Sequence, residues 1–86
     1  MTLQENFIQA VADSKALSAR PDNNTLLKLY SLYKQATEGD NTEDEPSNPF
    51  DIVGKTKYNA WNALKGLNAD DAKTQYTELV KMLKNN

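Results

Sequence analysis

In four separate stretches of this 86-residue chain, apolar side chains return at every third or fourth position, and nowhere do they alternate over the length of a strand. A step of three to four residues keeps one face of a helix apolar, whereas a sheet needs a period of two, so the pattern predicts an all-α fold. The first stretch carries Leu3, Phe7, Ala10, Val11, Ser14 and Leu17, which predicts an amphipathic helix over about 3–17, ended by Arg20-Pro21. The second offers Asp22, Asn23 and Asn24 as caps, then Leu26, Leu27, Leu29, Tyr30, Tyr33 and Ala36, and stops at Gly39, giving a helix over about 22–38. A third is expected over about 55–65, with Tyr58, Trp61 and Leu64 a turn apart and Gly66 at its end. Asn68 can cap a fourth, whose stripe is Ala72, Gln75, Tyr76, Leu79, Val80 and Leu83. Asp70 and Asp71 suit its positive first turn, and Lys81 and Lys84 its negative end.

Four such stripes can cover one another, so a small four-helix bundle follows, with one domain spanning residues 1–86. A chain of this length buries only about 60% of its unfolded surface, enough for one modest core. Between the second and third helices, residues 39–53 hold Asn41, Pro46, Ser47, Asn48, Pro49 and many acids, a composition that disfavours any regular element. A long loop is expected there.

The chain has no cysteine and no histidine. Without them there is no disulfide framework, no thiolate or imidazole metal site and no imidazole base, and no serine or carboxylate stands in a telling nucleophile or acid-base pattern. The composition therefore argues against an enzyme and against a metal or other cofactor. The amino terminus, Met1-Thr2-Leu3-Gln4-Glu5, lacks a secretory signal, and no apolar run approaches the ~20 residues that cross a bilayer. A cytoplasmic protein without stable membrane insertion is the simplest expectation, and a monomer, since all four stripes can be used internally.

Net charge is −2, unevenly spread. Residues 38–51 contain Glu38, Asp40, Glu43, Asp44, Glu45 and Asp51 and no base, while the remainder holds all 10 Lys and Arg against 6 acids. The helical part is mildly basic beneath an acidic loop, which suits a small polyanion better than a nucleic acid.

One string has the chemistry to meet such a ligand. In Tyr30-Ser31-Leu32-Tyr33-Lys34-Gln35-Ala36-Thr37, the residues Tyr30, Tyr33 and Lys34 fall at i, i+3 and i+4 and share a helix face. Two phenols and an ammonium there offer hydrogen-bond donors to phosphate and ring faces to a flat base. Lys57 stands one turn before Trp61, so a core-facing indole can fix where its ammonium emerges. Trp61 and Tyr58 are themselves read as interhelical packing.

With Gly39-Asp40 after it, and with Gly54-Lys55-Thr56-Lys57-Tyr58-Asn59-Ala60-Trp61 further on, that string resembles the acyl-CoA-binding proteins, small carriers of fatty-acyl coenzyme A thioesters. Phe7, Pro21, Leu27 and Tyr76 extend the match over nearly the whole chain. The resemblance implies an antiparallel four-helix bundle in up-down-down-up order, with long-chain acyl-CoA as the ligand. It maps the 3′-phosphate and adenine site to Tyr30, Tyr33, Lys34 and Lys57, with Tyr76 closing it and Lys15 reaching the ligand phosphates. Val11, Leu26 and Leu27 would line a groove for the fatty tail.

Three departures from the family pattern stand out. Tyr58 occupies a position where Trp is usual, the loop is one residue longer than in vertebrate members, and Val53 stands where those often carry lysine. The competing reading is a helical protein-protein interaction module, in which the tyrosine face and the acidic loop meet a partner. Val11, Leu26 and Leu27 forming a groove rather than a flat patch would speak against it.

Overall fold

Each helix begins where a side chain accepts from its otherwise unpaired first amides. The computed structural model describes residues 1–85, and among these the elements are α1 (Leu3–Ser14), α2 (Asn23–Glu38), α3 (Ile52–Asn62) and α4 (Ala69–Lys84), with no strand. Thr2 and Glu5 form a reciprocal capping box on α1, and Asp22, Asp51 and Asn68 cap the other three through the amides of Thr25, Gly54 and Asp71. A cap of this kind contributes about 1 kcal/mol.

Two boundaries differ from expectation. The first helix stops at Ser14 rather than 17, because Lys15 and Ala16 donate to the carbonyls of Ala12 and Asp13, tightening the last turn and turning Leu17 off the helix. The third runs from Ile52 to Asn62 rather than over 55–65. Asp51 starts it three residues early, and tight bonds from Leu64 and Lys65 to Trp61 and Asn62 convert its expected end into a turn. The long connection is accordingly residues 39–51, from the carboxyl cap of α2 to the amino cap of α3.

The chain directions follow from which helix ends meet. Trp61 near the end of α3 donates to the carbonyl of Gly39 at the end of α2, while Asn23 and Asn24 at the start of α2 share a cavity with Ile52 and Val53 at the start of α3. Those two helices run parallel, which no short turn could join, and the 39–51 connection supplies the reach. Gln35, near the end of α2, donates to the carbonyl of Leu67 just ahead of α4, and Lys28 lies by Leu79 and Met82 towards the other end, so α2 and α4 are antiparallel. Phe7 packs on Tyr76, and Asp13 pairs with Lys84 at 3.0 Å, which makes α1 and α4 parallel. The order is up-down-down-up.

The core lies where α4 meets α1 and α2. Phe7, Ala10, Leu29, Leu32, Ala36, Ala72, Tyr76 and Val80 are buried there together. Complete burial of Leu32 or Val80 is worth about 1.5–3 kcal/mol each, while Ala10, Ala36 and Ala72 keep the helix axes close. α3 stands apart from this core and packs on α2 alone. Its attachment is Trp61, 3% exposed, whose indole N–H bonds Gly39 at 2.8 Å, helped by Asn41, whose amide donates to the Tyr58 carbonyl.

A second tie holds the turn before α4. Asp40 accepts from the Gly66 amide and from the Gln35 side chain, both at 2.9 Å, and the same Gln35 amide donates to Leu67 at 2.7 Å. Gly66 has φ +94°, a left-handed conformation that turns its N–H towards Asp40 at no steric cost. The two bonds hold the Asp40 carboxyl below its ordinary range, the Gly66 amide being the larger cause.

Candidate functional site

Three aromatic rings from three helices pack together at a cleft, which Tyr33 and Tyr76 line. Phe7 of α1 lies 5.3 Å from Tyr76 of α4, edge to face, and 6.1 Å from Tyr33 of α2, stacked, with Tyr33 and Tyr76 6.3 Å apart. Edge-to-face and offset pairs at such distances are each worth about 0.5–1.5 kcal/mol beyond the area they bury. Phe7 and Tyr76 are buried, and Tyr33 is 41% exposed, so the cluster presents one phenol to solvent.

At this cluster opens a cavity of about 670 Å³, within the range of small-molecule sites. Tyr30, Tyr33, Lys34 and Leu26 reach it from α2, Lys57 from α3 and Tyr76 from α4. Val11 lines it from α1, and Lys15, the carboxyl cap of that helix, stands at its edge. These are eight of the nine residues that the sequence nominated. The ninth, Leu27, lies instead in an adjoining cavity of about 600 Å³ between the starts of α2 and α3. Leu26, Tyr30 and Lys57 border both spaces and form the wall they share.

Cations and rings are paired in this wall. The Lys57 ammonium lies 5.2 Å from the centroid of Tyr30, and that of Lys34 lies 4.7 Å from Trp61, both within reach of a ring quadrupole. Lys34 is also ion-paired with Glu38 one turn on, and the hydrogen bond it donates to that carboxylate keeps its ammonium above the usual lysine range. The hydroxyl of Tyr76 donates to Ser14 at 3.1 Å, and Ser14 donates to the carbonyl of Val11 at 2.7 Å. Tyr76 thus ties α4 to α1 beneath the cleft, as well as walling it.

The second cavity holds residues that sequence reasoning did not nominate for the site. Arg20, Asn23, Asn24 and Thr56 line it together with Ile52 and Val53. From sequence Asn23 and Asn24 compete with Asp22 to cap α2, a role that falls to Asp22, and Arg20 reads only as part of a helix break. Thr56 alone carried a signal, one turn beyond Ile52 and next to Lys57. Val11, Leu26 and Leu27 are half-buried but do not line a single groove: Val11 borders the first cavity, Leu27 the second, and Leu26 both.

Residues 4–80 match the family model described as acyl-CoA-binding protein. The chain belongs to the acyl-CoA-binding protein family. Acyl-CoA-binding protein homolog 1 of Caenorhabditis elegans is 51% identical over 83 residues, covering 96% of this chain and 93% of that one. The crystal structure of Oryza sativa acyl-CoA-binding protein 2 superposes with a TM-score of 0.91 at 36% identity, over 98% of this chain and 92% of the rice chain. Enoyl-CoA delta isomerase 2 of Rattus norvegicus is 45% identical over 80 residues, yet the match spans only 20% of that enzyme. The acyl-CoA-binding family is one of binding proteins rather than enzymes, and no helix among the described residues is long and apolar enough to cross a membrane.

Several motif residues of the family pattern are accounted for by structure alone. Gln35, Gly39, Asp40 and Trp61 belong to the ties that fix α3 and the following turn onto α2. Gly54 leaves room beside the Asp51 carboxylate that caps α3, where a Cβ would collide with it.

Proposed function

We propose that this protein binds long-chain fatty acyl-CoA thioesters non-covalently and carries them unchanged, the whole chain acting as a single acyl-CoA-binding domain. The observation that carries this reading is the convergence of the Lys34 and Lys57 ammoniums and three phenols, from three helices, on one cavity that shares a wall with a second, lined in part by Leu26, Leu27, Ile52 and Val53. The nucleotide end of the ligand is assigned to the first space, against Tyr30, Tyr33, Lys34 and Lys57, with Lys15 at its edge and Tyr76 behind. The acyl tail is assigned to the second, over Leu26 and along Leu27, with Val11 on the first cavity's side of the shared wall. Family membership supports the ligand class, and the geometry supports the division of labour.

Magnitudes decide which end supplies strength. Burying about 14 methylenes at ~0.8 kcal/mol each sets a ceiling near 11 kcal/mol before ordering costs. Charge-assisted bonds from Lys34 and Lys57 to phosphate add about 1.5–3 kcal/mol apiece. The tail dominates affinity, while the head group selects coenzyme A esters over free fatty acids. Burying the thioester and tail shields both from water and membranes, and no residue nearby is needed to alter the bonds of the ligand. The protein acts as a monomeric cytoplasmic buffer, with no cofactor and no nucleic-acid partner.

Calorimetric titration with palmitoyl-CoA, free coenzyme A and palmitate tests this. Strong binding of palmitoyl-CoA, well above both fragments, is expected. Equal and weak heats for all three would remove the carrier reading.

A further inference from the structure

We infer that Glu38 is an internal competitor for the head-group lysine: its carboxylate pairs with the Lys34 ammonium in the free protein and weakens the hold of that ammonium on a ligand phosphate. The inference rests on the acyl-CoA reading above and concerns a residue outside the cavity lining. Glu38 sits one helical turn beyond Lys34 on α2, ion-paired with it. The Lys34 side chain is 23% exposed and faces the cavity beside Tyr30, Tyr33 and Lys57, whereas that of Glu38 is 49% exposed. The pair therefore joins a functional cation to a half-solvated anion.

Such a pair adds little to the fold, because exposed ion pairs are screened and cost side-chain freedom. Its effect falls on the ligand. A phosphate and the Glu38 carboxylate draw on the charge of one ammonium and pull it towards different positions, and a carboxylate left beside a bound phosphate opposes it electrostatically. Trp61 holds the ammonium from another side, 4.7 Å from its centroid, and Glu43 on the following loop adds a second negative charge to the field at Lys34. Lys57 differs: its ammonium faces the ring of Tyr30 and has no carboxylate partner among the described residues. The two site lysines are thus unequal, one open to phosphate and one held by the protein. For a carrier, a phosphate contact that the protein can take back favours release of the ligand.

The test measures dissociation constants for palmitoyl-CoA and for palmitoyl-pantetheine, which has the same tail and thioester but no phosphate. Glu38→Gln is expected to tighten palmitoyl-CoA about two- to fivefold, the scale of losing one helical ion pair. Thermal unfolding of the free protein should drop by no more than a few degrees, the worth of the lost pair, while palmitoyl-pantetheine affinity stays unchanged, which a merely structural role for Glu38 would not give. In a Lys34→Ala background the gain from Glu38→Gln should vanish. An unchanged palmitoyl-CoA affinity, or an equal gain with and without Lys34, would overturn the inference while leaving the carrier reading intact. Failure of the unsubstituted protein to bind palmitoyl-CoA at all would overturn both.

Discussion

The indole nitrogen of Trp61 donates to the carbonyl oxygen of Gly39 at 2.8 Å, and through that bond α3 is fastened to the end of α2. Since α3 packs on no other helix, the position of Lys57 depends on this contact. Trp61→Phe keeps an aromatic ring but leaves the Gly39 carbonyl without its donor. A stability loss of about 1–3 kcal/mol in urea unfolding is expected, with a smaller weakening of palmitoyl-CoA binding. Unaltered unfolding would show that the bond does not fasten α3.

Lys34 and Tyr30 are assigned to the ligand rather than to the core. Lys34→Ala should weaken palmitoyl-CoA by about tenfold, corresponding to one charge-assisted hydrogen bond, and Tyr30→Phe by less. Thermal unfolding of the free protein should move little in either variant, because the Lys34–Glu38 pair is worth about 1 kcal/mol or less. A large drop in unfolding temperature with binding intact would return these residues to packing.

In the proposed reading Leu27 meets the acyl tail and not the head group, since it lines the second cavity and not the first. Leu27→Ser should cost palmitoyl-CoA about tenfold and butyryl-CoA almost nothing, since a short chain leaves the second cavity empty. Measuring both ligands by calorimetry checks it, and a uniform loss across chain lengths would place the tail elsewhere.

Asp40 links the fold to pH. Its carboxyl lies below the ordinary 3.8 in the folded protein, held by the Gly66 amide and then by Gln35. A depressed folded value means that the stabilisation is complete above the unfolded value and is lost as pH falls from about 3.8 through the lower folded one. Glu5, Asp13 and Asp22 are lowered too and titrate in the same acid window, so the slope for the unsubstituted protein is shared. Unfolding temperatures of the protein and of Asp40→Asn, measured from pH 6 to pH 2, should converge as the pH drops. Parallel curves would exclude a contribution from Asp40.

How far the sequence could be read differs by residue. Helix starts were legible because caps are local: Asp22 and Asn68 act within three residues of themselves. Thr2 and Asp51 do not stand out in the sequence, and Asp51, inside a polar loop, starts the third helix nearer the amino end than its stripe predicts. The end of α1 was illegible because Leu17 keeps the period of the stripe although the backbone has already turned at Lys15. The grouping of Tyr30, Tyr33 and Lys34 was legible from spacing alone, being a property of one helix.

What the sequence by itself determined is therefore whatever rests on neighbours along the chain: four helices, two of their four caps, the absence of imidazole and thiol chemistry, and the family pattern in its two motifs. What only the tertiary structure decided is which distant groups meet. The parallel course of α2 and α3 brings Lys57 to Tyr30, the Phe7, Tyr33 and Tyr76 rings gather from three helices, and Leu27 falls beyond the shared wall from Val11. Periodicity fixes the face on which a side chain stands, but not the partner helix that the face meets. That choice is made by packing and by long-range bonds such as Trp61 to Gly39 and Asp40 to Gly66, whose partners lie 22 and 26 residues apart.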